Sequence, residues 1–88
     1  MTESETAEAR LKRLQMRSAR RGIKEMDLIL GAFARDRLAG MSEAQLADYD
    51  ALLWENDQDL YQWVTGQMAP PDRYDALISA VSRHAGVR

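Results

Sequence analysis

Arg20-Arg21-Gly22-Ile23-Lys24-Glu25-Met26-Asp27 interrupts sequence that otherwise favours helix almost continuously, and its reading decides whether the chain opens with one long helix or two short ones. A helix running through Gly22 would cost about 1 kcal/mol relative to alanine, in a segment already loaded with repelling cations. A glycine here can instead close one helix in a left-handed cap and let the next begin close by. Arg17, Arg20 and Arg21 then fall in the last turn of the first helix, with Glu25 and Asp27 in the first turn of the second. Each charge sits at the helix end whose dipole suits it. The stretch therefore predicts a helix junction at Gly22, and so far nothing in it requires a function.

Outward from the junction the same logic yields further helices and almost no strand signal. Ala7, Leu11, Leu14 and Ser18 share one face of a first helix over about residues 5–20, with Ser4 as a candidate N-cap. A second, over about residues 24–39, carries Met26, Ile29, Leu30, Phe33 and Arg37 at helical spacing, with Gly40 placed to stop it and Gly31 allowing close packing. Ser42-Glu43-Ala44-Gln45 has capping-box spacing and opens a third helix with Leu46, Tyr49 and Leu53 inward. Glu55-Asn56-Asp57-Gln58-Asp59 breaks the apolar pattern and supplies N-caps for a fourth helix bearing Leu60, Tyr61 and Val64, which ends near Gly66. Pro70-Pro71 leads into a fifth helix with Tyr74, Leu77, Ile78 and Val81 as its stripe. The fold class expected is all-α, a compact antiparallel bundle of four to five short helices in a single domain over residues 1–88. Its ordered core spans about 5–85, and residues 1–4 and 86–88 are expected to fray.

Composition narrows the chemistry. The 88 residues include no cysteine, so disulfides, thiolate nucleophiles and sulfur-ligated metals drop out. No apolar run approaches the roughly 20 residues that span a bilayer, and the polar, acidic start is unlike a secretory or transit signal. The expected location is cytoplasmic. His84 is the only histidine, has no recognisable nucleophile beside it and is read as a surface residue. The acids at 55–59 lack calcium-loop spacing, so no metal site and no independent enzyme is expected.

Charge is segregated. Residues 9–24 hold seven cations and no acid, whereas residues 42–75 hold eight acids against Arg73 alone. That pattern predicts an electrical dipole able to orient a partner. A nucleic-acid-binding regulator using the cationic first helix is one alternative, although no aromatics interleave with the cations. Trp54 and Trp63 flank the acidic break. Core packing accounts for at least one of them, and one left exposed would mark a contact surface.

Two segments together carry a resemblance. Arg21-Gly22-x-x-Glu25 resembles the Arg-Gly-x-x-Glu signature of the FAD assembly factors of succinate dehydrogenase. Glu55 to Trp63 is similar to that family's second block, an acidic run ending in Asp-Leu, an aromatic and a tryptophan two residues later. The resemblance covers roughly residues 10–82; Gln58 stands where members often carry proline, and Ala19 where they often carry an aromatic. It implies a chaperone that binds the flavoprotein subunit of succinate dehydrogenase, and of related fumarate reductases, and promotes covalent attachment of FAD to a histidine of that client. It implies no stably bound cofactor, no nucleic acid and no membrane insertion. Carried onto this sequence, the partner-binding centre is Arg21, Gly22 and Glu25, with Asp27 as helper and Arg17 and Arg20 on the cationic docking face. Arg21 offers a fork of donors to a client carboxylate or carbonyl, and Gly22 leaves the backbone bare for close approach.

Overall fold

The computed structural model describes residues 5–87, so the Ser4 cap lies outside the described residues. Five α-helices run in chain order: α1 (Ala7–Ser18), α2 (Lys24–Arg37), α3 (Glu43–Leu52), α4 (Asp57–Val64) and α5 (Asp75–His84). Single turns of 3-10 helix, Leu38–Gly40 and Asp72–Tyr74, follow α2 and precede α5. No strand occurs among the described residues.

Local chemistry explains most boundaries. Thr6 caps α1 by accepting from the Ala9 N–H at 3.0 Å. Ser42 and Gln45 form the expected reciprocal capping box at the start of α3. At α4 the cap is Asn56, whose carboxamide oxygen accepts from the Gln58 N–H at 2.7 Å, and not one of its acidic neighbours. Gly66 and Gly86 take φ of +82° and +78°. In both, the next residue's N–H bonds five residues back, Gln67 to Gln62 and Val87 to Ser82, which is the Schellman closure. The last turn at 86–87, expected to fray, is thus capped.

Gly22 does not behave as those glycines do. Among the described residues only Gly66 and Gly86 have positive φ, so the left-handed cap expected at Gly22 is absent. α1 ends earlier, at Ser18, and Ala19 closes it at φ −92° and ψ 0°, with its N–H on the Gln15 and Met16 carbonyls. Arg20 and Arg21 therefore lie beyond the helix, in the connection, and only Arg17 occupies the last turn. Ile23 is extended and admits α2, whose first turn does carry Glu25 and Asp27.

α2 is the central element and packs against α1, α4 and α5. Its buried stripe, Met26, Leu30, Phe33 and Ala34, joins Leu14 of α1, Leu46, Tyr49 and Leu52 of α3, Leu60, Trp63 and Val64 of α4, and Ile78 and Val81 of α5 in one core. α1 and α2 approach closely where Ala19 meets Gly31, and a Cβ on that glycine would lie 3.7 Å from Ala19, an ordinary contact. His84 is not a free surface residue. The packing of α5 on α2 sets its ring edge-on to Phe33 at 5.6 Å and its Nε2 2.7 Å from Asp36.

Two polar groups enter this core with partners. Ser82 donates to the Val64 carbonyl at 2.7 Å, tying α5 to α4. Ser18 donates its one hydroxyl proton to the Leu14 carbonyl, which leaves Tyr49 to donate to Ser18 Oγ across 2.6 Å. Burial pushes the Tyr49 phenol up to about 12. The unfolded chain, with a phenol near 10, loses that proton first as pH rises, so the folded state holds more protons between these values and stability falls there. Alkaline unfolding should accordingly show an extra loss of roughly 2–3 kcal/mol between about pH 10 and 12. Urea titrations of Tyr49→Phe across that range should lack the loss, at a fixed cost of about 1 kcal/mol for the deleted hydrogen bond. Parallel pH profiles for the two proteins would refute the assignment.

Candidate functional site

The sequence motif Arg21-Gly22-x-x-Glu25 becomes, in three dimensions, a connection fastened to the start of α4. Arg21 Nε donates to Asp57 Oδ1 at 2.8 Å, and the Gly22 N–H donates to the other oxygen of the same carboxylate at 2.5 Å. The remaining guanidinium nitrogens reach the carbonyls of Arg17 and Glu55 at 3.4 and 3.3 Å. The side chains of this pair are only 8% and 16% exposed. On the other side, the Arg21 N–H donates to the Asp27 carboxylate of α2. One arginine thereby ties α1, the connection and the corner before α4 together, and Asp27 ties that connection to α2.

The expected roles divide accordingly. Arg21 spends its donors inside the molecule and has no free fork to offer. The fork read from the sequence as client-facing positions the junction instead. Asp27 is likewise occupied. Gly22 is exposed, with its N–H turned inward; a Cβ there would lie 3.1 Å from Asp57 Oδ2, so any side chain must displace the doubly held carboxylate. Glu25 and Arg20 are exposed and make no hydrogen bond or ion pair among the described residues. Arg17 lies with its guanidinium 4.1 Å over the Trp54 ring, bonds the Leu53 carbonyl at 3.4 Å and stands 3.9 Å from Asp50.

Asp57, which the sequence reading placed in a capping run, is the residue that holds the junction and that sequence reasoning missed. The available signal was a buried-pair requirement: an arginine beside an apolar face needs a carboxylate, and the second sequence block supplies one. The cationic face is also less bare than its sequence suggests. Arg10 pairs with Glu43, Arg13 with Glu5 and Asp50, and Arg21 with Asp57, so acids from other segments fold against the cationic helix. This pairing neutralises part of the cationic face. The Arg13 guanidinium holds the Asp50 and Glu5 carboxyls below their ordinary range. Among the seven cations, Lys12, Arg20 and Lys24 are left without an ion-pair partner among the described residues.

A shallow cleft of about 380 Å³ runs along this junction, lined by Met16, Arg17, Arg20, Arg21, Leu53 and Asp57. A larger hollow, about 600 Å³, shares none of these residues, and its Arg73 and His84 are already held by Asp48 and Asp36. The smaller cleft carries the weight here, because it adjoins the unpaired groups. Among the described residues no cluster of histidine and carboxylates could hold a metal ion, and no helix is long and apolar enough to cross a membrane.

These features define a class: a small all-α protein with a pinned helix junction that presents backbone and unpaired charge at its surface. The chain belongs to the family described as flavinator of succinate dehydrogenase, whose sequence model matches residues 12–85. It is 45% identical over 73 residues to succinate dehydrogenase assembly factor 2, mitochondrial, of Meyerozyma guilliermondii, covering 80% of this chain and 54% of that one. The assembly factor 2 of Schizosaccharomyces pombe is 40% identical over 70 residues, with 80% and 50% covered. That of Dictyostelium discoideum is 33% identical over 73 residues, with 83% and 52% covered. The chain thus spans about half the length of the curated relatives it matches. All three are mitochondrial by name, which overturns the expectation of a cytoplasmic protein.

Proposed function

We propose that this chain is an assembly factor that binds the flavoprotein subunit of succinate dehydrogenase, and of related fumarate reductases, at the α1–α2 junction and promotes its covalent attachment of FAD. The observation that carries the reading is the division of labour within the signature: Arg21 is locked behind the surface to Asp57, while Gly22, Glu25 and Arg20 face outward. A junction so fixed presents a bare strip of backbone beside a free carboxylate and a free guanidinium, in a geometry that need not be ordered on binding.

The covalent chemistry belongs to the client and its flavin, and this chain retains no FAD of its own. What the factor supplies is differential binding to one conformation of the client. A bias of about 1–3 kcal/mol shifts such an equilibrium roughly 5- to 150-fold. Glu25 accepts from client donors, and Arg20 meets a client carboxylate. The nucleic-acid reading gains no support, since the pairing of Arg10, Arg13, Arg17 and Arg21 with acids removes most of the phosphate-tracking charge it would use.

Glu25→Ala tests the contact without touching the fold. Its stability should stay within about 0.5 kcal/mol of the parent, because the side chain is exposed. Gly22→Arg both covers the strip and displaces Asp57. Purified client supplied with FAD and either variant should gain covalent flavin, read as in-gel fluorescence, roughly 5- to 150-fold more slowly than with the parent chain. A normal rate with either variant would sink this function.

A further inference from the structure

On the strength of that reading, we infer that the Trp54–Arg17 stack is a second, apolar anchor for the same client, one that fits a surface offering an apolar recess beside a carboxylate. Trp54 is 76% exposed and Met16 is 53% exposed, whereas Trp63 is buried at 7%. Single exposed aliphatic residues are ordinary on a small protein. Trp54 differs, because it sits beside Leu53 and under Arg17, both of which line the cleft that continues past Arg20 to the Arg21–Asp57 clasp. The indole and Gly22 thus each touch a residue that lines the same cleft, Trp54 through Arg17 and Gly22 through Asp57.

The indole is also held ready. Arg17 stacks its guanidinium on the ring 4.1 Å from the centroid and itself bonds the Leu53 carbonyl and stands near Asp50, so one face of the indole already has a partner before any client arrives. A tryptophan already stacked on one face has less freedom to lose on docking, and tryptophan and arginine are the residues in which interface binding energy concentrates. The stack by itself leaves most of a large apolar surface in water; a client recess would remove it. The charge of the recess follows from the rim, where Arg20 has no ion-pair or hydrogen-bond partner among the described residues and Arg17 stands as far as 3.9 Å from Asp50.

The test labels the factor, not the client. Incorporating 5-fluorotryptophan gives two fluorine resonances, one per tryptophan, assigned with Trp54→Phe. Adding unlabelled apo flavoprotein subunit should shift or broaden the Trp54 resonance and leave that of Trp63 in place. Trp54→Ala should raise the factor concentration giving half-maximal flavinylation by at least about tenfold, with the rate at saturation unchanged. Arg17→Lys, which keeps the charge and loses the planar stack, should give a smaller shift in the same direction. Both variants should retain parental helicity, which circular dichroism checks.

A Trp54 resonance unmoved by client, or an unchanged half-saturation point in Trp54→Ala while Glu25→Ala still slows flavinylation, would overturn the anchor and leave the proposed function standing. A Trp54 resonance that shifts with concentration of the chain alone would assign the face to a second copy and overturn it equally. Normal flavinylation with Glu25→Ala would instead remove the function on which the anchor depends.

Discussion

Arg21→Ala should lower stability by about 2–4 kcal/mol, and hence Tm by roughly 10–25 °C for a chain of this length. The reason is the number of groups that lose a partner at once. Asp57 keeps only the Gly22 N–H, and the carbonyls of Arg17 and Glu55 lose their donor. Full burial would make the penalty larger still, but the pair is 8% and 16% exposed and water reaches the vacated carboxylate in part. Asp57→Ala should be comparable, since it strands a guanidinium among carbonyls. The double variant should be less destabilised than the sum of the two singles by about 1–3 kcal/mol, as expected for residues in direct contact. Urea denaturation of the four proteins measures all three quantities. Additive losses, or a Tm unmoved in Arg21→Ala, would show that the clasp contributes nothing and that Arg21 is free for a partner after all.

That outcome bears on how the signature works. An arginine facing a client could be removed with little effect on the factor's own unfolding; an arginine that fastens the junction cannot. The two roles look identical in sequence, because the interacting residues stand 36 positions apart and nothing local marks Asp57 as different from Asp59. What was legible was local. The Ser42–Gln45 capping box, the Met26, Leu30 and Phe33 positions of the α2 stripe and the stop at Gly66 each depend on residues within a few positions of one another and occur as the spacing demanded. Arg37, read onto the same stripe, is instead exposed, and Ala34 is buried in its place. Gly22 was misread for the same reason. Glycine after a helix usually signals a left-handed cap, and here a side-chain carboxylate from α4 takes the N–H and makes the cap unnecessary. The charge pattern shows the limit from the other side: its segregation was visible along the chain, but the pairing that covers part of it depends on Arg10 and Arg13 finding Glu43 and Asp50 across the fold.

Fixing the junction also explains how a small core suffices. α2 carries Glu25 in its first turn and Leu30 a turn and a half later, so the outward-facing carboxylate and the buried leucine belong to one rigid rod. The clasp at Arg21 sets where that rod begins relative to α4, and the core sets where it lies. Either can be loosened separately, and the consequences for flavinylation differ in kind.

Leu30→Ala isolates the second of these. Leu30 is fully buried on the helix that packs against α1, α4 and α5, and its truncation should cost about 2–5 kcal/mol through lost transfer energy and the cavity left behind. Leu28, two residues away and 66% exposed, is the internal control, and Leu28→Ala should stay within about 0.5 kcal/mol of the parent. For a domain of about 5–10 kcal/mol total stability, the Leu30 loss brings an appreciable fraction of molecules toward unfolding at elevated temperature. Flavinylation by Leu30→Ala should then fall with the folded fraction and recover on cooling, because the contact residues are untouched. Glu25→Ala should show a deficit that cooling does not repair. Equal unfolding midpoints for Leu30→Ala and the parent would refute the burial of Leu30, and a deficit in Leu30→Ala that persisted at low temperature would show that its side chain shapes the docking face directly.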